Sequence, residues 1–353
     1  MTVDPWVKAW GVNTQEQLGN GSNNAQRTPA AVIGLACEDV RELVAGEGFA
    51  VALLRDGTVK SWGVNASGQL GNGTATGQPV PATVRGLSGV SAVAAGRNHA
   101  LAVKGGRVLS WGENAHGQLG TGETTSSKVP VLVPGLDKVR AVGAGDGFSV
   151  ALRQDGTVWT WGQGAAGRLG TGSTADGHAP QQVADLTDVE AIAVADAHVV
   201  ALTADGTVHA WGAGADGRLG NDSKADSSTP VDVAHLDAVA KVFTGAASSF
   251  AVQEDGSVHG WGANASGELG DGTKTPRATP VSLDGLRGVQ HVASGAGHTL
   301  AVLGDGSVIA WGANQDGQLG DGSTTSPSAT TTALPPGSGI TFVAAADRSS
   351  YAY

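Results

Sequence analysis

Cysteine is almost missing from this 353-residue chain: Cys37 stands alone, Met1 is the single methionine, and tyrosine occurs twice. One cysteine cannot form an intramolecular disulfide or a thiolate metal site. Positive charge is also scarce, with 21 Lys and Arg against 32 Asp and Glu and a net charge of −11. Nucleic acid and anionic membrane surfaces are therefore poor partners for the molecule as a whole, and neither is expected. No apolar run approaches the roughly 20 residues that a membrane-crossing helix needs. No charged-then-apolar leader follows Met1, so the expected compartment is the cytoplasm, with secretion expected only if a signal peptide has been removed. There is no phosphate loop ending in Gly-Lys-Ser/Thr. The Gly-x-Gly-x-x-Gly strings that arise by chance from 56 glycines never join a strand to a helix, as dinucleotide binding requires. No cofactor is expected.

What the chain has in abundance is repetition. Trp-Gly recurs at Trp10, Trp62, Trp111, Trp161, Trp211, Trp261 and Trp311, with spacings of 52, 49, 50, 50, 50 and 50 residues. Leu-Gly follows eight residues after each Trp, from Leu18 to Leu319, and Pro follows nineteen after, broken only by Thr330. A period near fifty built from strand-like segments means stacked or radial units. Within one unit, residues 88–96 predict an inner strand and residues 99–103 the strand that returns. A tight turn then leads into a third strand ending in Trp-Gly. That turn is Asp-Gly at Asp56, Asp155, Asp205, Asp255 and Asp305, a hairpin signal because glycine supplies the positive φ. A loop of about fifteen residues carries Gln-Leu-Gly, and the proline then opens a fourth strand at the edge, where a missing N–H is tolerated. Four antiparallel strands per repeat predict an all-β, seven-bladed β-propeller, one domain over residues 1–353, with no helix. Asp4-Pro5-Trp6 aligns with a third strand and Ser350–Tyr353 with a second, so the two termini share the last blade and leave no open edge. Ala52, Ala102, Ala151, Ala201, Ala251, Ala301 and Ala352 occupy one position in all seven copies, a small residue that lets neighbouring sheets approach.

The pattern Trp-Gly-x-Asn-x-x-Gly-Gln-Leu-Gly, then Pro, Gly-Leu and Ala-Gly-x-x-His-x-Leu-Ala, resembles the regulator of chromosome condensation repeat family, in a bacterial-type member, over residues 6–353. The resemblance implies the seven-bladed fold and several roles. Members of the family are exchange factors for the small GTPase Ran, plant ultraviolet-B receptors, a secreted bacterial inhibitor of β-lactamase, and many unassigned bacterial proteins. The exchange factors carry an inserted β-wedge, for which the even spacing leaves no room. The ultraviolet receptors stack several additional tryptophans, whereas this chain adds only Trp6 and Trp159. The β-lactamase inhibitor has shorter repeats without the Gln-Leu-Gly loop.

Strand alternation places the Gly-x-x-His turns and the Gln-Leu-Gly loops on one face and the Asp-Gly hairpins on the other. The inner turns vary most: Glu47-Gly48-Phe49, Arg97-Asn98-His99, Asp146-Gly147-Phe148, Asp196-Ala197-His198, Ala246-Ala247-Ser248, Ala296-Gly297-His298 and Asp347-Arg348-Ser349. Where a scaffold repeats and one ring varies, that ring is free to specialise. The expected partner-binding residues are accordingly Glu47, Phe49, Arg97, Asn98, His99, Asp146, Phe148, Asp196, His198, His298, Asp347 and Arg348. His99, His198 and His298 fit two readings. They match the family's repeat position, where the resemblance implies hydrogen bonds to nearby backbone. They are also candidates for a general base in a catalytic mouth, His198 beside Asp196 above all. No metal is expected, since zinc wants three or four ligands at about 2 Å and these histidines belong to alternate blades. The other histidines, His291 among them, fall at scattered repeat positions and read as surface or core residues. The sequence thus favours a scaffold over an enzyme, one that recognises a protein partner through the variable turns. The alternative is a small-molecule or catalytic mouth, an enzyme of specialised metabolism.

Overall fold

The computed structural model describes residues 6–326 and 330–353. Seven four-stranded antiparallel sheets surround an axis. The first blade runs outwards through Val40–Gly46, Phe49–Leu54, Val59–Gly63 and Gln78–Thr83. The seventh is built from both ends of the chain, in the order Val343–Ala346, Ser349–Ala352, Trp6–Gly11 and Gln26–Ala36. Its seam is the pairing of Lys8 with Ala352 and Trp10 with Ser350. The expected Asp4-Pro5 turn lies outside the described residues. All seven repeat alanines are fully buried, as expected of a position where neighbouring sheets meet.

Two details differ from the sequence expectation. The repeat proline does not open the fourth strand but sits inside it, as Pro81 does in Gln78–Thr83 and Pro130 in Ser127–Leu132. The strand tolerates it because it is the outer edge and its register slips beside the proline, so no ladder bond is lost. Among the described residues there are also three single-turn 3₁₀ segments, at Cys37–Asp39, Ala165–Gly167 and Ala215–Gly217.

The repeat motif is a device for joining blades. Each repeat tryptophan is buried, and its indole N–H donates to a backbone carbonyl in the preceding blade's long loop. Trp62 reaches Gln17 at 2.8 Å, Trp111 Gln69 at 2.8 Å and Trp161 Gln118 at 2.8 Å. Trp211 and Trp261 reach Arg168 and Arg218 at 3.2 and 3.0 Å. Trp311 reaches Glu268, and Trp10 closes the circle on Gln318, both at 2.8 Å. The acceptor is always the residue before the loop leucine, and that leucine is buried in every copy. The glycine after it lies under the indole: a Cβ on Gly120 would stand 2.8 Å from Trp161 Nε1.

In five repeats the loop is wound about a buried asparagine three residues after the tryptophan. Asn65 accepts the Leu70 N–H at 2.9 Å and donates to the carbonyls of Thr74 and Thr76. Asn13, Asn114, Asn264 and Asn314 accept in the same way from Leu18, Leu119, Leu269 and Leu319. Trp-Gly, Asn and Leu-Gly are thus one structural unit, in which a polar side chain supplies bonds that no neighbouring strand can.

Two outcomes follow from these contacts. Trp161→Phe keeps most of the buried ring but removes the donor to Gln118, and should cost about 1–3 kcal/mol in chemical unfolding. The same change at half-buried Trp159, whose indole bonds only Thr157, should cost less; equal losses would contradict the inter-blade role. Removing residues 1–11 takes away the strand that pairs with Ser349–Ala352 and should abolish the soluble monomer in size-exclusion chromatography.

Candidate functional site

On the face of the inner turns the axis opens into a cavity of about 350 Å³. Backbone bonds tie successive turns together around it: Glu47 N–H to the Arg97 carbonyl, Arg97 to Gly145, Asp146 to Asp196, and Ala296 to Asp347. Side chains of Glu47, Arg97, Asp146, Asp196 and Asp347 line the opening. Arg97 is the one cation among the described lining residues, and two acids already engage it, Glu47 in close contact and Asp146 at 3.2 Å. Asp347 has only a 3.7 Å contact with Arg348, whose guanidinium turns outward to Asp316 at 2.8 Å. Asn98 also turns to a loop, donating to Glu113 at 3.2 Å.

Asp196 reaches the water of the mouth, yet its carboxyl is pushed up to about 6. Confinement by surrounding protein is the main cause, and the negative charge of Asp146 adds to it, against weaker relief from Arg97 and Arg218. Among the described residues no hydrogen-bond donor serves its carboxylate. Between Asp196 and Asp347 the next two turns present only Ala246 and Ala296, with Thr244 and Ser294 deeper in the wall. One sector of the mouth therefore holds two under-compensated carboxylates across a gap lined by small residues.

The other expected site residues are elsewhere. His99, His198 and His298 are fully buried, as are Phe49 and Phe148. They point between blades, where no partner or substrate reaches them. Nε2 of His99 meets the Ser149 hydroxyl of the next blade at 2.9 Å, and Ser149 in turn donates to the Gln118 carbonyl at 2.8 Å, the same carbonyl that holds Trp161. His298, Ser350, Gln318 and Trp10 repeat the arrangement, and His198, Ser249, Arg218 and Trp261 form a looser copy. The bond the family position implied, to nearby backbone, is instead a bond to a serine in the adjacent blade. Since the hydroxyl proton is committed to the carbonyl, Nε2 must carry the imidazole proton, and buried Nδ1 is left without a partner. Burial pushes His99 and His298 down to about 4, and His198, which also feels Arg218, to about 3.

The two phenylalanine departures from histidine follow a pairing rule. Each His faces a serine in the next blade, whereas Phe49 packs with Ala100 and Phe148 with Val199. A ring of either kind fills the same space over a glycine: a Cβ on Gly46 would collide with Phe49, and one on Gly96 would stand 2.6 Å from His99. In these five turns polar faces polar and apolar faces apolar, whereas Ser349 donates to the Ala346 carbonyl within its own blade.

Sequence reasoning missed Arg168 and Arg218. They replace the Gln of Gln-Leu-Gly in two repeats, and in those same repeats Gly164 and Gly214 replace the loop asparagine. The paired change was the available signal. In these blades Asp176 and Asp226 each accept the glycine N–H at 2.9 Å. Arg168, freed from the loop's usual bond, donates to the Asp146 carbonyl at 2.9 Å and covers the Phe148 ring. It braces the turn that carries a mouth carboxylate.

The pattern of the RCC1-like domain matches residues 128–353, and that of the regulator of chromosome condensation (RCC1) repeat matches residues 8–53 and 56–103. Among characterised proteins, the human E3 ubiquitin-protein ligase HERC2 is 36% identical over 105 residues, which are 29% of this chain and 2% of that protein. The ultraviolet-B receptor UVR8 of Arabidopsis thaliana is 32% identical over 99 residues, 28% of this chain and 22% of the receptor. The matched segments thus span less than a quarter of these relatives. Among solved structures, Prp20p from Saccharomyces cerevisiae, described with its binding properties to Gsp1p and histones, superposes with a TM-score of 0.87 at 23% identity, covering 100% of this chain and 92% of that one. Human WBSCR16 gives 0.87 at 23%, covering 99% and 98%.

The histidine arrangement sets a pH dependence. Between the ordinary value of 6.5 and the folded values near 4, the unfolded chain binds more protons than the folded one, so stability present above about pH 6.5 is lost as pH falls. Burial lowers His291 and His259 in the same direction, while Asp196, raised to about 6, and Glu42 and Glu268, raised by burial, act in the opposite direction, three groups against five. Thermal melts at pH 7 and pH 5 should show lower stability at pH 5. Combining His99→Phe with Ser149→Ala, which copies the Phe49–Ala100 pair, should lessen that loss and exceed the stability of His99→Phe alone. A double variant no better than the single one would contradict the pairing rule.

Proposed function

The chain belongs to the RCC1-like family, and from that premise we propose that it is a binding scaffold whose acidic mouth receives a basic side chain of a protein partner. The observation that carries this reading is the sector between Asp196 and Asp347, where Asp196 pairs with no cation among the described residues and Asp347 has only the 3.7 Å contact with Arg348, while Arg97 already satisfies Glu47 and Asp146. A lysine or arginine entering there would find carboxylates across a wall of small residues, and would lower the cost of ionising Asp196. Protein binding described for Prp20p supports the class of partner, at the level of a shared fold. A catalytic mouth is less well supported, because the three histidines offered as bases are buried in inter-blade contacts.

The test is affinity capture from the native host with wild-type protein, with Asp196→Asn combined with Asp347→Asn, and with Asp155→Asn combined with Asp205→Asn on the hairpin face. The hairpin aspartates accept bonds from Thr157, Thr203 and Thr207 within their own turns, so asparagine there should leave folding and capture intact. A partner retained by wild type and by the hairpin variant, but lost from the mouth variant, is the expected result. Its affinity for wild type should weaken as pH falls through about 6, where Asp196 becomes neutral. Loss confined to the hairpin variant would reverse the assignment of faces.

A further inference from the structure

The axial channel does not end at the mouth. Ala45, Ala95, Ala144, Val194, Thr244 and Ser294 line both the mouth and a second cavity, so the two meet at a neck of small residues. Beyond it, towards the hairpin face, the channel widens to about 600 Å³. This chamber is lopsided. At one inner-strand position the second, third and fourth blades carry Ala94, Gly143 and Ala193, while the fifth carries Phe243.

Aromatic groups continue from Phe243 in an unbroken row. Its ring meets His291 edge to face at 5.1 Å, His291 meets Phe342 at 5.3 Å, and Phe342 stacks on Tyr353 at 5.5 Å with 21° between planes. Reciprocal backbone bonds between Phe342 and Tyr353 fix that stack, and the Tyr353 hydroxyl accepts the Leu43 N–H at 3.0 Å. His291 is neutral, pushed down to about 4 by burial and by the nearby Lys241, so it adds a ring to the wall and not a charge. Phe342 remains 43% exposed within this otherwise packed row. Glu42 is the carboxylate of the wall; it accepts the Val93 N–H at 3.2 Å, and burial raises its pKa. The seven-fold repeat does not require these groups, because the second, third and fourth blades close the same channel with alanine and glycine. The exposed ring face, the empty half opposite it and the volume suit a flat molecule of one or two rings.

We propose that this chamber binds a small, planar, uncharged aromatic molecule, stacked against Phe342 and Phe243 and facing the alanine wall. A neutral ligand is favoured over an ammonium because Arg41 lies beside Glu42, the one carboxylate among the described lining residues, and Lys241 lies beside His291, and both oppose a further cation. A ligand anion would face Glu42. The site is separate from the mouth and does not depend on the protein-binding reading.

Saturation-transfer NMR and calorimetry with indole, tryptamine and indole-3-acetate test it on the full-length protein. Indole should bind wild type more tightly than either charged analogue. Phe342→Ala and Phe342→Leu should each weaken indole binding by about tenfold; the leucine variant keeps apolar bulk and, at a partly exposed position, should fold. Asp196→Asn, beyond the neck, should leave indole binding unchanged. Absence of indole binding to wild type at millimolar concentration, equal binding by the Phe342 variants, or tighter binding of tryptamine or indole-3-acetate would each overturn the proposal.

Discussion

The bond from each repeat tryptophan to a carbonyl in the preceding blade is the constraint on which the rest of this molecule depends. An indole has one donor and no acceptor, so burying it between sheets demands a carbonyl at a fixed place. The long loop after Trp-Gly exists to put one there. Gln118 shows how far that demand spreads: its carbonyl takes Trp161 and Ser149 together, and Ser149 takes His99. Loop, indole, serine and histidine are one network spanning two blades. The circle closes only because Trp10, from the start of the chain, reaches Gln318 in the sixth blade's loop.

A network of this kind decides which positions are free. Tryptophan, leucine, the two glycines and the loop asparagine are committed, and so are the turn histidines and the phenylalanines that replace them. What remains is the rim of the axis at each end. At one end the free positions hold charges, four carboxylates around one guanidinium; at the other they hold aromatic rings on one side and almost nothing on the other. Asp196 illustrates what freedom permits, since a carboxylate raised to about 6 opposes folding at neutral pH and is tolerated where a ligand can use it.

Periodicity made the fold legible. Seven Trp-Gly pairs and the offset alignment of Trp6 and Tyr351 led to seven blades and a shared last blade. The face carrying the turns was legible too, because strand direction alternates. The direction of individual side chains was not. Phe49 and His99 follow the same turn position as Glu47 and Arg97 by only two residues, and that shift moves a side chain from the mouth to the blade interface. The His–Ser and Phe–Ala partners stand some fifty residues apart, visible only when successive repeats are compared diagonally. Arg168 and Arg218 were hidden because a change at one loop position has meaning only beside the change at Gly164 and Gly214. The aromatic row beyond the neck joins Phe243, His291, Phe342 and Tyr353, drawn from the fifth, sixth and seventh blades, so no one repeat contains it.

The central claim is that the turn histidines are structural groups locked as neutral Nε2–H imidazoles, which leaves the mouth to the acidic turns. Nitrogen-15 NMR of the imidazole side chains measures this directly. The account predicts that His99, His198 and His298 show a protonated Nε2 and a bare Nδ1, unchanged from pH 8 to pH 5. A tautomer with the proton on Nδ1, or titration of any of the three between those limits, would contradict it.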